Sequence, residues 1–151
     1  MFFKARYSCL VLTAILLAGC CLAGCRTIAV DPQKARAFSD LFMDDVIHDR
    51  RAAFYSKMEP EFHEITSLEK FTAGMDDLYR QFGKPIQFEA VGYGYGARAL
   101  SKNGQTKPYY DAIYNLTTTK GAQQFRVRVV PNGNDLAVTM FTFKLPDDAQ
   151  H

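Results

Sequence analysis

The fold is decided by residues 125–145, which read FRVRVVPNGNDLAVTMFTFKL. Apolar and basic side chains alternate over the first five residues. Every second residue from Phe125 to Val129 therefore lies on one face of a strand, with Arg126 and Arg128 on the other. The Asn-Gly pair that follows tolerates positive φ and is typical of a tight hairpin turn. The segment thus predicts two antiparallel strands that turn one apolar face toward a core.

The same two-residue period recurs upstream and predicts two further strands, at 86–89 and 109–118, before the final strand at 136–145. Lys120-Gly121 supplies the turn between the second and third strands, and Asn103-Gly104 lies in a longer loop between the first and second. Four consecutive strands joined by such turns imply an antiparallel meander.

The residues before this sheet predict three helices. Asp31-Pro32 begins the first, because Asp accepts from free N–H groups and Pro suits the first helical position. Its apolar stripe is Ala35, Phe38, Leu41, Phe42 and Val46. A short second helix at 51–58 is closed by Pro60, which disfavours helix at the residue before it.

The third helix, 68–82, follows a capping-box pattern at Thr66–Glu69 and ends at Gly83, which supplies a left-handed residue. Its stripe is Leu68, Phe71, Met75, Leu78 and Phe82. We expect this helix to lie across the sheet. The chain is therefore predicted to be an α+β domain, with N-terminal helices packed on one face of a curved four-stranded antiparallel sheet. Twelve Phe, eight Tyr and no Trp predict a phenylalanine-rich core with tyrosines at its rim.

This order resembles the cone-shaped domains of the nuclear transport factor two-like superfamily and, more loosely, cystatin-like folds. The resemblance is carried by 48–55 leading into 58–62, and then by the helix that starts at Ser67 and runs into 81–85. The family usually has Gly-Asp where this chain has His48-Asp49. The resemblance implies the fold alone, because members include enzymes and binding proteins and share no invariant catalytic set.

The first 25 residues resemble a bacterial lipoprotein signal. Lys4 and Arg6 precede an apolar run, and Leu-Ala-Gly stands before both Cys20 and Cys25, which matches the lipobox twice. The resemblance implies cleavage before one cysteine and acylation of its thiol. We favour Cys20, because it ends the strongest apolar run, although Cys25 would leave a chain with no other thiol. The alternative is an uncleaved span, since the 19 residues between Arg6 and Arg26 are uncharged.

The predicted organisation is a signal at 1–25, a tether at 26–30, one domain at 31–145 and a frayed tail at 146–151. Removing the signal takes away Lys4 and Arg6, and the net charge of +2 with them, so the remaining chain is neutral. A neutral domain has no electrostatic footprint for nucleic acid. The residue after the cysteine, Cys21 or Arg26, is not the aspartate that retains lipoproteins at the inner membrane. The resemblance therefore implies an exported protein on the outer membrane, facing the periplasm.

Charge is uneven along the domain. Residues 31–83 carry 11 acids and 7 bases, whereas 84–144 carry 3 acids and 8 bases. An acidic first half and a basic second half would help the two halves dock or steer a partner.

The motif Gly92-Tyr93-Gly94-Tyr95-Gly96 places glycines on one face of a strand and tyrosines on the other. One interpretation is a bent strand whose bare side admits a helix or forms a corner. The other is a pocket or docking surface formed by Tyr93 and Tyr95. Arg126 and Arg128 share a strand face and could bind anions, although an exposed sheet face explains them equally.

His48 stands one helical turn after Asp44, the spacing of a histidine–carboxylate pair that could act as a general base. A solvated helix end is the alternative interpretation. His63 lacks the second histidine of a zinc motif, and the chain has no phosphate loop or Cys-x-x-Cys pair, so we expect no metal or cofactor.

These observations favour a lipid-anchored, non-catalytic binding or scaffold module. Its expected partners are membrane lipid through the acylated cysteine, an envelope protein or a small ligand, and a second copy through the sheet. Two alternatives remain: an isomerase-like or cyclase-like enzyme with a pocket between helices and sheet, and a structural domain on an uncleaved anchor.

Overall fold

The computed structural model describes residues 30–99 and 106–144. Four helices precede four strands: α1 (Pro32–Ile47), α2 (Arg51–Ser56), α3 (Pro60–Ile65), α4 (Leu68–Phe82), β1 (Pro85–Ala99), β2 (Thr106–Thr118), β3 (Gly121–Asn132) and β4 (Asp135–Lys144). The strands form one antiparallel sheet in the order β1-β2-β3-β4. The predicted α+β class and meander are confirmed. The predicted signal, the Asn103-Gly104 loop and the tail at 146–151 lie outside the described residues.

The helix that lies across the sheet is α1, which contacts β1, β2 and β3. The prediction that helix 68–82 takes this place was wrong. The buried face of α1 is broad and includes the small residues Ala35 and Ser39, which let the helix approach the strands closely. By contrast, α4 buries only Phe71 and Met75 and packs beside the sheet. Spacing reveals which face of a helix is apolar, but not how deeply that face is covered.

Two helix boundaries differ from the prediction. Pro60 begins α3 as well as following α2, because proline at the first helical position lacks only an N–H that needs no partner there. The N-cap of α4 is Ser67 rather than Thr66, with Ser67 Oγ accepting from the Lys70 N–H at 3.3 Å. There are consequently four helices in the described residues instead of three. Leu41 and Leu68, which were predicted to face inward, are exposed.

The inner sheet face forms the core with α1 and α2. Phe125, Val127 and Val129 are fully buried, as the alternation predicts. They face a row on β2 formed by Tyr110, Ala112, Tyr114 and Leu116. The two tyrosines are buried rather than at the rim. Tyr114 Oη donates to Asp40 Oδ1 at 2.9 Å, and burial together with this hydrogen bond raises the pKa of Tyr114 well above its ordinary value.

The end of α4 is fitted against the turn between β2 and β3. Gly83 has φ +89° and ψ 158°, so its φ is positive but its conformation is not the left-handed one that was predicted. A Cβ there would lie 2.7 Å from the backbone nitrogen of Lys120. Thr118 Oγ1 donates to the Phe82 carbonyl at 2.7 Å, and the Lys84 N–H donates to Thr119 Oγ1 at 2.9 Å. The glycine predicted to end this helix therefore also allows the close approach of the turn.

Charged residues hold the corner between α1 and α2. Asp45 is buried and pairs with Arg50 at 2.7 Å and with Lys57. Burial raises the pKa of this carboxyl, but the hydrogen bonds from Lys57 and Arg50 lower it by more, so the pKa lies below its ordinary value. Asp49 binds Arg51 at 2.8 Å and Lys84 at 3.5 Å, which joins the corner to the start of the sheet.

The two edges of the sheet differ. The Val138 N–H on β4 donates to the Lys57 carbonyl at 2.7 Å, and the Glu59 N–H donates to the Val138 carbonyl at 2.9 Å, so the first part of β4 is paired. The outer edge of β1 carries no strand among the described residues. Its exposed apolar side chains are Ile86, Val91, Tyr93 and Tyr95.

Within 30–99 and 106–144, none of the helices combines the length and the apolar character that crossing a membrane requires.

Candidate functional site

An apolar groove of about 490 Å³ runs between α4 and β4, and we call it the α4–β4 groove. Most of its lining is hydrophobic and comes from the segment before α3, from α3, α4 and β4. The lining residues are Met58, Phe62, Thr66, Lys70, Phe71, Gly74, Met75, Leu78, Thr139, Met140 and Phe141.

The groove exists because α4 is held near its two ends. Near its start, the Phe71 ring packs on Phe54 at 5.1 Å and on Phe141 at 6.2 Å. At its end, the Phe82 ring stacks on Phe143 at 5.2 Å. Between these anchors the helix lies beside β4 without pairing to it. The result is a channel whose floor is formed by buried Phe71 and Met75.

Gly74 forms part of the groove wall at the middle of α4. A Cβ at this position would meet no atom within 4 Å, so the packing of the described residues does not require glycine here. Glycine inside a helix is less stable than alanine by roughly 0.5–1 kcal/mol. Gly74 therefore leaves the groove wall without a side chain at this point, and the helix is less stable than it would be with alanine. Sequence reasoning missed it, although a lone glycine within an apolar helical stripe is a readable signal.

The polar side chains of the lining are Thr66 and the exposed Lys70 near the start of α4, and Thr139 on β4, whose Oγ1 donates to Glu59 Oε1 at 2.6 Å. Lys70 has no ion-pair partner among the described residues. It is also the single titratable side chain in the described lining. Three methionines (Met58, Met75 and Met140) contribute flexible, polarizable surface that adapts to differently shaped partners. The groove is therefore apolar along its length, with one cation at one end.

Tyr93 and Tyr95 lie on the inner face of β1, away from the groove. Their side chains are 40% and 60% exposed, and both rings contact Tyr110, with centroids 5.6 and 5.2 Å apart. The Arg36 guanidinium lies 5.2 Å from the Tyr93 centroid. The predicted pair thus forms an open aromatic surface with one cation beside it.

The glycines of the same motif lie on the outer face, as the two-residue period predicts. The register shift of β1 between Ala90 and Gly92 accords with the expected bend. Among the described residues the helix that contacts β1 is α1, with Arg36 on the tyrosine side, so the expectation of a helix on the bare side was wrong. The bare side instead admits the ring of Tyr109, which a Cβ on Gly96 would overlap. The Tyr109 ring in turn lies 3.8 Å from the Arg128 guanidinium.

The two predicted arginines have different surroundings. Arg128 donates twice to Asp111, at 2.7 and 2.8 Å, and this hydrogen bonding raises the pKa of Arg128. Its charge is therefore balanced on the outer sheet face. Arg126 lines a shallow depression of about 320 Å³ together with Gln124, Thr142 and Phe143.

His48 and Asp44 do meet, but at the surface. His48 Nδ1 lies 3.2 Å from Asp44 Oδ1, with side chains 55% and 43% exposed, and Asp44 also binds Arg50. Neither residue lines the groove. His63 stacks on Tyr55 with centroids 4.6 Å apart. The described part of the chain contains no group of three residues that could hold a metal ion.

Comparisons with known proteins are sparse. No family model matches the chain, and no curated protein matches it. Among solved structures, the chain is similar to Aln2 from a Streptomyces species, with a TM-score of 0.49 and 14% sequence identity over 80% of this chain and 96% of that one.

Proposed function

We propose that this chain is a lipid-anchored protein of the bacterial cell envelope that acts as a non-catalytic binding module, with the α4–β4 groove as its binding site. The observation that carries the proposal is the apolar groove of about 490 Å³ left open at Gly74. The anchor rests on the two matches to the lipobox before Cys20 and Cys25.

The groove has the properties of a binding site. Its volume falls within the range of about 300–1,000 Å³ that is common for ligand pockets. Apolar surface gains about 25 cal/mol for each Å² that leaves water, so a ligand that covers this lining is stabilised without any polar contact. The lining methionines can adjust their rotamers to the ligand.

The chemistry of the described lining supports binding rather than acid–base catalysis. A general acid or base must lie within hydrogen-bond reach of its substrate. Lys70 alone could titrate in this lining, and it stands at the exposed end. The predicted alternatives His48 and Asp44 lie at the surface of the α1–α2 corner, with Asp44 already bound to Arg50. An isomerase-like or cyclase-like enzyme remains the second candidate, and a structural domain on an uncleaved anchor the third.

The anchor is tested by metabolic labelling with an alkyne-bearing fatty acid in a diderm bacterium. We expect wild type and Cys25→Ala to be labelled and Cys20→Ala to lose the label. Label lost only in Cys25→Ala would move the site to the second lipobox. A wild-type chain that carries no label would contradict lipid anchoring.

The groove is tested with a neutral apolar dye, N-phenyl-1-naphthylamine, and a matched pair of substitutions. Gly74→Phe fills the groove and should weaken dye binding by at least about tenfold, which corresponds to about 1.4 kcal/mol. Gly74→Ala adds only one methyl group to the wall, so it should weaken dye binding much less than Gly74→Phe does, and it should raise the free energy of unfolding by roughly 0.5–1 kcal/mol. Circular dichroism establishes that both variants fold. Equal binding by the folded Phe variant would place the dye elsewhere and contradict the groove as the site.

A further inference from the structure

We infer that the α4–β4 groove takes the acyl chain of an amphiphile with one anionic head group, and that Lys70 binds the head. This inference rests on the proposed function and names the class of ligand that the groove would hold.

The arrangement of residues along α4 gives the groove a direction. Lys70, Gly74 and Leu78 follow each other at intervals of four, so they form one row on the helix surface. Phe71 and Met75 form the adjacent apolar row. From Lys70 to Leu78 the row extends about 12 Å, at 1.5 Å per residue. A cation therefore stands at one end of an open, mainly apolar groove, which is the charge pattern that complements a chain with an anionic head.

Two residues in this row are unfavourable for the helix itself. Lys70 lies in the first turn, where the helix dipole favours acidic rather than basic side chains. Gly74 lies in the interior, where alanine would be more stable. The described chain offers Lys70 no carboxylate and places no atom against a side chain at Gly74. Both exceptions are explained if the row serves an external ligand: the lysine holds the head group and the bare glycine admits the chain.

The helix start strengthens the preference for an anion at this end. The Lys70 ammonium and the positive end of the α4 dipole carry the same sign, so a negative head group near the first turn interacts favourably with both. No carboxylate is among the described lining residues, and the Glu59 carboxylate accepts a hydrogen bond from the lining residue Thr139 at 2.6 Å. A cationic head would be repelled by Lys70, and a neutral head would accept a hydrogen bond without the gain from opposite charge.

A polypeptide strand is a poorer occupant than an acyl chain. Strand addition uses the free edge of a sheet. At Val138 that edge is already bonded to Lys57 and Glu59, so only the part of β4 after Val138 is left for an added strand. An unbranched hydrocarbon chain needs no backbone partner and can follow the apolar row.

The experiment uses the full chain reconstituted in phosphatidylcholine vesicles, with photoactivatable probes and mapping of the cross-linked peptides. One arm adds a diazirine-bearing dodecanoic acid or the matching dodecanol, which differ only in head-group charge. A second arm adds phosphatidylglycerol or phosphatidylcholine with the same diazirine in one acyl chain. The first arm tests a free fatty acid as the ligand, and the second arm tests a membrane lipid. Both carry an acyl chain with an anionic head group.

We expect peptides of α4 and β4 to be labelled about tenfold more strongly by the anionic member of at least one pair, the effect of one charge-assisted contact. Lys70→Arg should keep this preference and Lys70→Glu should abolish it. Gly74→Phe should lose labelling by both members, and Gly74→Ala, which adds one methyl group to the wall, should reduce labelling to a smaller extent. Lys34→Glu, an exposed position on α1, serves as the charge-matched control and should change nothing.

The possible outcomes distinguish a failure of the anionic-amphiphile inference from a failure of the proposal that the groove is a binding site. Equal groove labelling by the anionic and uncharged members of both pairs would overturn the role of Lys70 and the anionic head, yet leave the groove as an apolar binding site. Labelling that Gly74→Phe does not reduce would overturn both. Groove labelling that an unlabelled apolar peptide displaces, but dodecanoic acid and phosphatidylglycerol do not, would assign the groove to a polypeptide and overturn the inference.

Discussion

Individual residues divide into those whose environment follows from their neighbours in sequence and those whose environment depends on distant chain. Phe125 and Val127 belong to the first kind, because strict alternation fixes their face. Tyr114 belongs to the second. Its burial requires a partner for the hydroxyl, and that partner, Asp40, stands 74 residues away on α1. No local sequence pattern indicates such a long-range pair. The sequence therefore could not show which tyrosines are buried and which are exposed.

The candidate site shows the same division. Gly74 is visible in the sequence as a glycine inside a helical stripe, whereas the groove beside it depends on how α4 sits against β4. The predicted pair His48 and Asp44 follows correctly from the helical spacing, but its exposure does not. Spacing brings residues onto one face, and only the tertiary packing determines what that face meets.

Asp45 provides a test of the charged corner. Because the pKa of this carboxyl is lowered on folding, it contributes stability above about pH 4, the ordinary value, and this stability is lost as the pH falls through the folded-state pKa. Asp45→Asn should lower the free energy of unfolding by about 2 kcal/mol at pH 7 and flatten its dependence on pH below 4. Urea denaturation at a series of pH values measures both effects.

The control for this prediction is Asp77→Asn, because the Asp77 side chain is 70% exposed although it pairs with Arg80. This change should alter the free energy of unfolding by no more than about 0.5 kcal/mol. A similar loss of unfolding free energy in both variants would show that the burial of Asp45 does not increase its contribution to stability.

At the scale of elements, β2, β3, β4 and α4 were predictable, β1 was predicted only at 86–89 of Pro85–Ala99, and α3 was missed. Strand alternation and a capped amphipathic stripe are strong local signals, and the bounds of α4 agree with the sequence. The helix α3 has six residues, none of them buried, so it leaves no apolar period to detect. The wrong position predicted for α4 has a related cause. The buried face of α1 also includes Ser39, Met43 and Asp45, which lie outside the predicted apolar stripe.

Two positive-φ glycines at element ends permit a matched experiment. Asparagine tolerates left-handed backbone, so Gly133→Asn, with open space around its Cβ, should change the free energy of unfolding by less than about 1 kcal/mol. Gly83→Asn should be worse by about 2 kcal/mol or more, because φ +89° with ψ 158° is essentially restricted to glycine and because its Cβ would meet the backbone of Lys120. Thermal and urea unfolding of both variants provide the comparison, and equal losses would contradict the close approach at Gly83.

For the whole molecule, the halves of opposite charge are joined mainly by an aromatic core. Most ion pairs in the described residues lie within one half, as Arg51–Asp76 and Arg128–Asp111 do. Lys84–Asp49 joins the start of the sheet to the helices. The rings of Phe42, Phe71 and Phe125 all contact Phe141, and so link helices to strands. The sequence predicted that this core is rich in phenylalanine. It did not predict that few ion pairs join the acidic half to the basic half.

This organisation predicts an order of local opening. Amides of β2 and β3 should exchange with solvent last, because these central strands carry the fully buried row and are paired on both sides. Amides of α3 should exchange first, because no buried side chain secures that helix. Native-state hydrogen exchange measures the order directly. Protection of α3 equal to that of β3 would contradict it, whereas selective protection of α3 on adding ligand would accord with the groove as the site.

The open outer edge of β1 has a practical consequence for handling the protein. Unsatisfied backbone groups beside Val91 and Tyr95 form a template on which strands of other molecules can add, the usual route to aggregation. Crowded preparations should therefore precipitate sooner than dilute ones. A single lysine in place of Val91 would put an unpaired charge into any such contact and keep the molecules apart.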